Sequence, residues 1–406
     1  MAEKGKLLSL AVVLIVGILI GAGIGYFALP AVAPPPGAKR VLKAGFIYIG
    51  PVGDIGWTYA HDYGRQWVDE KFDWLETIYA ESVPEGQALS YIENLINQGA
   101  DVIFTTSFGF MDPTLEAAQN YPDKIFFHCS GYKRWKNMGT YFAEFYQLYY
   151  LNGLMAGALT NTSHIGYVAA HLTPEVVRHI NAFVLGARTV NPNVTVHIRV
   201  IHAWYDPTKA RDAAESLVFD DNVDAIAFTE DSAAIVEYAQ SLYDQANRTV
   251  LVFAHYSPML KFGTDVVVSG QLVHWEVIYE DILSKVYSGA YNTTNLENVD
   301  YWWMLKEGAV ELGADFGVPI NPRFENILKN KMATHPITGE QISVYDLVFE
   351  LLELMSEETV VFDPYTGPIN FQNGTQWLAD GQRATHDQLW SINFYVEGVD
   401  PNAPKP

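Results

Sequence analysis

Trp57 is the side chain that most directly suggests ligand chemistry. It follows the glycine-rich segment at residues 50–56 and stands at the start of a predicted helix. An indole beside permissive glycines can stack on a planar ligand, a contact worth roughly 1–3 kcal/mol by analogy with base stacking. Packing of the indole between a helix and a sheet explains the same position equally well, and the sequence leaves both interpretations open.

Other aromatic and polar side chains also follow predicted strands. Asp54 and Thr58 flank Trp57 on its loop, and Phe108 follows a Thr-Thr-Ser turn. Helix capping is an alternative role for Asp206 and Asp231, because short carboxylates accept hydrogen bonds from the first amides of a helix. The candidates from the second half of the chain are Trp204, Asp206, Asp231, His274 and Trp275.

Motifs for most catalytic chemistries are missing from the sequence. There is no GxSxG elbow, HExxH pair, CxxC pair, GxGxxG fingerprint or GxxxxGK[ST] loop. The carboxylates that could pair for acid–base hydrolysis of a glycosidic bond are Asp54, Asp62, Asp206 and Asp231. We therefore predict a binding protein that uses no cofactor or metal, and keep a nucleoside-cleaving hydrolase as the enzymatic alternative.

The composition limits the class of protein and its partners. With 406 residues, 49% of them hydrophobic, the chain is long enough for two domains with sizeable cores. Its formal charge of −22 repels phosphate backbones, so nucleic acid is not expected as a partner. A single cysteine, Cys129, can form neither an internal disulfide nor a thiolate cluster.

The first 40 residues read as a membrane anchor and a tether. Residues 7–29 carry no charge and follow Lys4 and Lys6, so they can cross a bilayer with the remainder of the chain outside the cell. A cleaved signal peptide is the alternative, although its apolar region is usually shorter. The Pro-rich linker at residues 31–40 then holds the globular part off the membrane.

Five Asn-x-Ser/Thr sequons agree with an exported globular part, since such acceptors are used on the surface loops of exported chains. An acidic surface, an anchor, sequons and no cysteine pairs together suit an archaeal cell envelope. The sequons begin at Asn161, Asn193, Asn247, Asn292 and Asn373.

Alternating strand and helix patterns predict an α/β fold with two doubly wound parallel-sheet lobes joined by a hinge. Residues 41–160 and about 275–305 form the predicted first lobe. Residues 161–274 and about 306–400 form the second, and an anchor at residues 1–30 precedes both. Ligands of open α/β sheets bind outside the carboxyl ends of the strands, so two facing lobes predict a ligand cleft.

Several motifs resemble those of the basic membrane protein family of ABC-transporter solute-binding proteins. They are GFIYIGPVGDIGWTYAHD at residues 45–62, TTSFGF at 105–110, PEVVRHINAF at 174–183, WYDP at 204–207 and YVEGV at 395–399. The resemblance spans residues 41–400 in order. It implies a two-lobed binding protein of the type I periplasmic-binding-protein kind that takes purine nucleosides or purine bases such as adenine. It also implies an ABC permease as partner.

The resemblance also implies roles for individual residues. Trp57 matches the aromatic that stacks on the base, Phe108 matches a loop that lines the cleft, and His274 with Trp275 matches an Asn-Trp-like pair. One departure follows the strand that ends at Ala254, where relatives have an aspartate and this chain reads HYSPM. This difference favours a base over a nucleoside. The matched positions flanking the stacking residue or lying in the second lobe are Asp54, Thr58, Trp204, Asp206 and Asp231.

These observations predict an extracellular, membrane-anchored receptor that binds a purine-like solute between its lobes and delivers it to an ABC importer. A sensor that signals without transport is the other alternative from a different class.

Overall fold

The computed structural model describes residues 41–357, 359 and 361–406. The predicted anchor and linker lie outside these residues. No helix in the described part of the chain has both the length and the apolar character that a bilayer crossing requires. The contacts of the chain group Leu42–Pro406 into one compact unit, which contains two sheets and the helices that cover them.

Six strands, all parallel, form the first sheet. They are β1 (Leu42–Ile47), β2 (Leu75–Ala80), β3 (Val102–Thr105), β4 (Ile125–Cys129), β5 (Met138–Ala143) and β11 (Asp300–Trp303), in the order β11-β5-β4-β3-β1-β2. The central strands are buried along their whole length, as in sheets whose two faces are both covered by helices. The covering helices are α1 (Trp57–Lys71), α2 (Ala88–Asn97), α3 (Met111–Asn120) and α8 (Trp275–Tyr287).

The second sheet repeats this plan with one exception. Its strands are β6 (His164–Ala169), β7 (Thr195–Val200), β8 (Ala225–Thr229), β9 (Leu251–Tyr256), β10 (Val267–Val273) and β12 (Val310–Leu312). Their order is β12-β10-β9-β8-β6-β7, and only the edge strand β12 is antiparallel. The accompanying helices are α4 (Tyr146–Leu159), α5 (Pro174–Val190), α6 (Pro207–Asp220) and α7 (Ala234–Ala246). The predicted α/β fold with parallel sheets is confirmed.

The chain passes between the two sheets after β5, after β10 and after β11. Helix α4, which the sequence assigned to the first lobe, instead packs on α5 and β10 beside the second sheet. Its 14 residues are all buried, and glycines bring the two helix backbones together. A Cβ atom on Gly186 would lie 2.0 Å from the carbonyl oxygen of Tyr150, so no larger residue fits there.

The C-terminal part of the chain wraps the second sheet and returns to α5. Helix α10 packs on α4, while α11 packs on α5. Two short antiparallel hairpins, β13 with β14 and β15 with β16, accompany these helices. The elements are α9 (Pro322–Lys329), β13 (Met332–Thr334), β14 (Gln341–Ser343), α10 (Val344–Ser356), β15 (Ile369–Asn370), β16 (Gln376–Leu378) and α11 (His386–Trp390).

Candidate functional site

A narrow cavity lies where the carboxyl ends of the two sheets face each other. It encloses about 280 Å³, part of it open to solvent. Segments that follow β1, β3 and β4 form one wall, and segments at or after the ends of β6, β7, β8 and β9 form the other. The lining residues are Ile49, Trp57, Thr106, Ser107, Phe108 and Ser130 from the first sheet, and Glu175, Trp204, Asp231 and Tyr256 from the second.

The loop before α1 is organised by Asp54 and Thr58. The carboxylate of Asp54 accepts hydrogen bonds from the backbone amides of Gly56, Thr58 and Tyr59 at 2.8 to 2.9 Å. The Thr58 hydroxyl accepts one from the amide of Gly50 at 3.1 Å. Burial raises the pKa of Asp54, while the three amides counteract that rise. These two side chains therefore hold the loop and the start of the helix in place.

The indole of Trp57 is fixed on the cavity wall. Its Nε1–H donates to the carbonyl oxygen of Thr106, and the side chain is only 6% exposed. Its three nearest rings meet it at steep angles: His61 at 79°, Tyr256 at 68° and Trp275 at 79°. In the described part of the chain, no aromatic ring stacks flat on this indole.

Direct contacts join the two walls beside the cavity. The hydroxyl of Ser257 donates to the carbonyl oxygen of Ile55. A Cβ atom on Gly56 would lie 2.5 Å from the Cα of Asp231, closer than any real contact. Glycine at position 56 therefore lets the first-sheet loop approach the second sheet.

Carboxyl groups dominate the electrostatics of the cavity. Burial, followed by the charges of Asp54, Glu230 and Glu175, raises the pKa of Asp231 well above its usual value. Burial likewise raises the pKa of Glu230. One carboxyl oxygen of Asp231 and one of Glu230 are buried and have no hydrogen-bond partner within the protein. Among the described residues that line the cavity, none is a lysine, arginine or histidine.

A carboxylate that is paired with a cation lies nearby, where the chain leaves β5 and passes to the second sheet. Glu144 is completely buried and pairs with Arg178 at 2.6 Å and with His179 at 3.2 Å. Burial raises the pKa of Glu144, but the Arg178 and His179 partners outweigh it and bring the value down to about 2. The guanidinium of Arg178 also donates to the carbonyl oxygen of Leu389, next to α11. The anion is therefore fully paired.

A second, larger cavity of about 980 Å³ adjoins the first and shares Phe108, Ser130 and Glu175 with it. Trp390, at the end of α11, forms part of its wall. The C-terminal part of the chain thus contributes to the inter-sheet cleft. No sequence pattern predicted this contribution, because it depends on how a distant segment packs on α5.

Of the predicted site residues, Trp57, Phe108, Trp204 and Asp231 come together on the cavity wall. Asp54 and Thr58 lie behind that wall. The other three predicted residues, Asp206, His274 and Trp275, have structural partners outside the lining.

Asp206 caps α6, its carboxylate accepting from the amide of Lys209 at 3.1 Å. His274 pairs with Glu276 and Glu311 at 2.7 and 2.8 Å. Burial lowers its pKa, but the two carboxylates outweigh that effect and raise the value to about 9. Trp275 is completely buried and stacks on His61 at 4.1 Å. Its indole belongs to the packing of the first sheet.

Sequence reasoning missed Glu175 and Tyr256 as lining residues. Helix α5 begins after the N-cap Thr173, with Pro174 and Glu175 in its first turn. Glu175 also follows β6, as the other candidates follow their strands. Tyr256 lies in the segment where the sequence noted only a missing carboxylate. Both residues lie at or after the end of a predicted strand, and this position could have identified them as lining residues.

Three of the four acids considered for hydrolysis make structural contacts. Asp62 pairs with Arg65 at 2.7 Å, Asp206 caps its helix, and Asp54 caps α1. In the part of the chain that the structure describes, no group of three or more His, Cys, Asp or Glu side chains is arranged to hold a metal ion.

Comparison with known proteins places this geometry in a family. Residues 41–344 match the model of the PnrA-like ABC transporter substrate-binding proteins. The chain is 36% identical to a purine-binding protein of Brucella abortus, over 91% of this chain and 95% of that protein. It is 37% identical to a protein of Haloferax volcanii provisionally named as an ABC transporter glucose-binding protein, over 76% of this chain and 73% of that one.

A solved structure has the same fold. The ABC-transporter solute-binding protein of Aeropyrum pernix aligns with a TM-score of 0.64, over 86% of this chain and 95% of that chain, at 15% identity. The family match covers both sheets and every segment of the narrow cavity. The chain belongs to the PnrA-like family of ABC transporter substrate-binding proteins.

Proposed function

We propose that the protein binds a purine base or nucleoside, adenine-like in its hydrogen-bonding edge, in the narrow cavity between the two sheets. Trp57, Phe108 and Trp204 supply face contacts, and Asp231 accepts hydrogen bonds from the ring. The ligand leaves with none of its bonds changed. The cavity that combines Trp57 from one sheet with Trp204 and Asp231 from the other is the observation that carries this proposal.

The aromatic walls suit a flat heterocycle. None of the described rings around Trp57 stacks flat on it, so a planar ligand can supply the stacked contact that no side chain provides. Such a contact is worth roughly 1–3 kcal/mol.

The polar groups suit the edge of a purine. The unpartnered oxygen of Asp231 can accept from a ring N–H or an exocyclic amine. Leaving such a buried group without a partner destabilises a complex by about 1–3 kcal/mol, so ligands without a matching donor are disfavoured. The larger cavity beside Phe108 offers room for a substituent, which keeps both a base and a nucleoside as candidates.

Glucose is the second candidate, because a relative at 37% identity is provisionally named for it. Sugars also lie against aromatic rings and donate to carboxylates. The relative of Brucella abortus, matched over more of this chain, is named for purine binding, and the aromatic lining of the cavity agrees with that ligand.

We further propose that the protein acts outside the cell, held to the membrane by residues 7–29, in an archaeal envelope. Support comes from the uncharged run after Lys4 and Lys6 and from the sequons. The three chain passages between the sheets provide a hinge, and the closed form is the one that the permease recognises. Sensing without transport would use the same closed form.

Isothermal titration of the full-length protein with adenine, guanosine, inosine and glucose tests the ligand. Saturable heat with at least one purine and none with glucose is expected. Saturable glucose binding without any purine binding would overturn the proposal. Chromatography of the guanosine and inosine samples checks the hydrolase alternative, since release of free base would show bond cleavage.

A further inference from the structure

Glu175 stands at the junction of the two cavities and has a carboxyl environment unlike that of Glu144. It is partly buried, lies in the first turn of α5, and lines both the narrow and the larger cavity. The nearby cation is Arg178, one helical turn further along. The Arg178 guanidinium already makes two hydrogen bonds to Glu144 and one to the carbonyl of Leu389. Glu175 therefore has no cation of its own.

The groups that face Glu175 are mostly acidic or neutral. They come from the helix itself, from the passage before α4, and from the ends of β4, β6, β8 and β9. Several carboxyl groups in one water-poor site cannot all be ionised, and the least compensated of them hold protons. The facing groups are Arg178, Glu144, Cys129, Ser130, Tyr167, Asp231 and Tyr256.

A second observation ties this cluster to a ligand. Asp231 is 2% exposed, and one of its carboxyl oxygens has no partner within the protein although the residue lines the cavity. An adenine-like ring presents N–H donors and ring-nitrogen acceptors side by side. Among the described residues, no lysine, arginine or histidine lines the narrow cavity, so its side-chain donors are hydroxyl groups, indole N–H groups and any carboxyl that holds a proton. A protonated carboxyl beside an accepting one can therefore bind both kinds of ring group.

We infer that Glu175 binds the ligand as a neutral carboxylic acid whose O–H donates to a ring nitrogen, while Asp231 accepts from the ligand. This inference rests on the proposed function. Glu175 is thereby a specificity-determining residue: it selects uncharged rings with an acceptor nitrogen and disfavours phosphorylated ligands, whose charge the other carboxyls repel.

The inference predicts proton-linked binding. Burial raises the pKa of Glu175 to about 8, with Arg178 opposing and Glu144 adding to that rise. Below this value the donor proton is present, and above it the proton must be taken up for the ligand to bind. Adenine affinity of the wild type should be constant from pH 6 to 7 and fall towards a slope of about tenfold per pH unit above pH 8.

The experiment titrates the full-length protein with adenine between pH 6 and pH 9, a range in which adenine stays uncharged. Glu175→Gln keeps an N–H donor without a titrating proton, so its affinity should lie within about threefold of wild type at pH 6.5 and stay flat to pH 9. Glu175→Ala should bind at least about tenfold more weakly at pH 6.5. The control Glu237→Gln changes an exposed first-turn glutamate of α7 and should follow the wild-type profile.

Three results would overturn the inference while leaving purine binding intact. They are a wild-type affinity that does not change with pH, a pH dependence that persists unchanged in Glu175→Gln, and a loss in Glu175→Gln as large as that in Glu175→Ala. Absence of adenine, guanosine and inosine binding at every pH overturns the proposed function itself, and this inference with it.

Discussion

Glu144 and Glu175 lie on either side of Arg178, and the protein treats them in opposite ways. Glu144 takes the guanidinium and His179, so its pKa falls to about 2 despite complete burial. Glu175 is left facing a cavity, and burial raises its pKa to about 8. Because the guanidinium of Arg178 pairs with Glu144 and not with Glu175, Glu144 has a structural role and the carboxyl group of Glu175 has no ion-pair partner among the residues that the structure describes.

The difference separates a structural ion pair from the proposed binding site. Around Glu144 every charge has a partner, so a change there should alter the free energy of unfolding. At the cavity one buried oxygen of Asp231 has no partner among the described residues, which destabilises the empty protein and is consistent with the proposed contact to a ligand. Changes there should alter affinity first.

Removing Arg178 should have the largest effect. Arg178→Met leaves Glu144 as an unpaired buried anion, and we expect the free energy of unfolding to fall by about 3–5 kcal/mol in urea denaturation. The double variant Arg178→Met with Glu144→Gln removes the stranded charge and should recover part of the loss. A single-variant loss below about 1 kcal/mol would contradict the view that this pair is structural.

Removing the Trp57 indole should act on affinity. Trp57→Ala deletes the stacking face, and we expect a loss of about 1–3 kcal/mol in purine binding, or about 5- to 150-fold, by isothermal titration. Trp67→Ala on the same helix is the matched control, since Trp67 does not line the cavity. Equal losses in the two variants would mean that Trp57 only packs the fold.

Adding a methyl group at residue 56 should weaken purine binding, because it keeps the two walls of the cavity apart. In Gly56→Ala the new Cβ would clash with the Cα of Asp231, so the walls cannot approach as closely and affinity should drop by about tenfold, or about 1.4 kcal/mol. Gly53→Ala is the control, because a Cβ there meets nothing within 4 Å. Unchanged purine affinity in Gly56→Ala would show that the close approach is not needed for binding.

Neutralising Asp231 should stabilise the empty protein while weakening binding. Its pKa is higher in the folded than in the unfolded chain, so its contribution to stability is lost as pH rises above the unfolded value of about 3.9. At pH 8 without ligand, Asp231→Asn should therefore raise the free energy of unfolding, measured by urea denaturation. A variant less stable than wild type at pH 8 would contradict this sign.

The fold was largely predictable from the sequence because each sheet builds from local strand and helix patterns. The pairing of β5 with β11 and of β10 with β12 was not predicted, because each pair joins strands that lie far apart along the chain. The positions of Trp57, Phe108, Trp204 and Asp231 follow from the rule that ligands meet the carboxyl ends of strands. The sequence could not predict that Trp275 is buried in the core or that Trp390 lines the larger cavity, because tertiary packing decides both.

A crystal structure of the protein grown with adenine or adenosine tests the central claim most directly. The account predicts a flat ring lying on the Trp57 indole between the two sheets, with Asp231 and Glu175 at hydrogen-bond distance from its edge. A purine bound away from Trp57, or a ring held without contact to the second sheet, would contradict it.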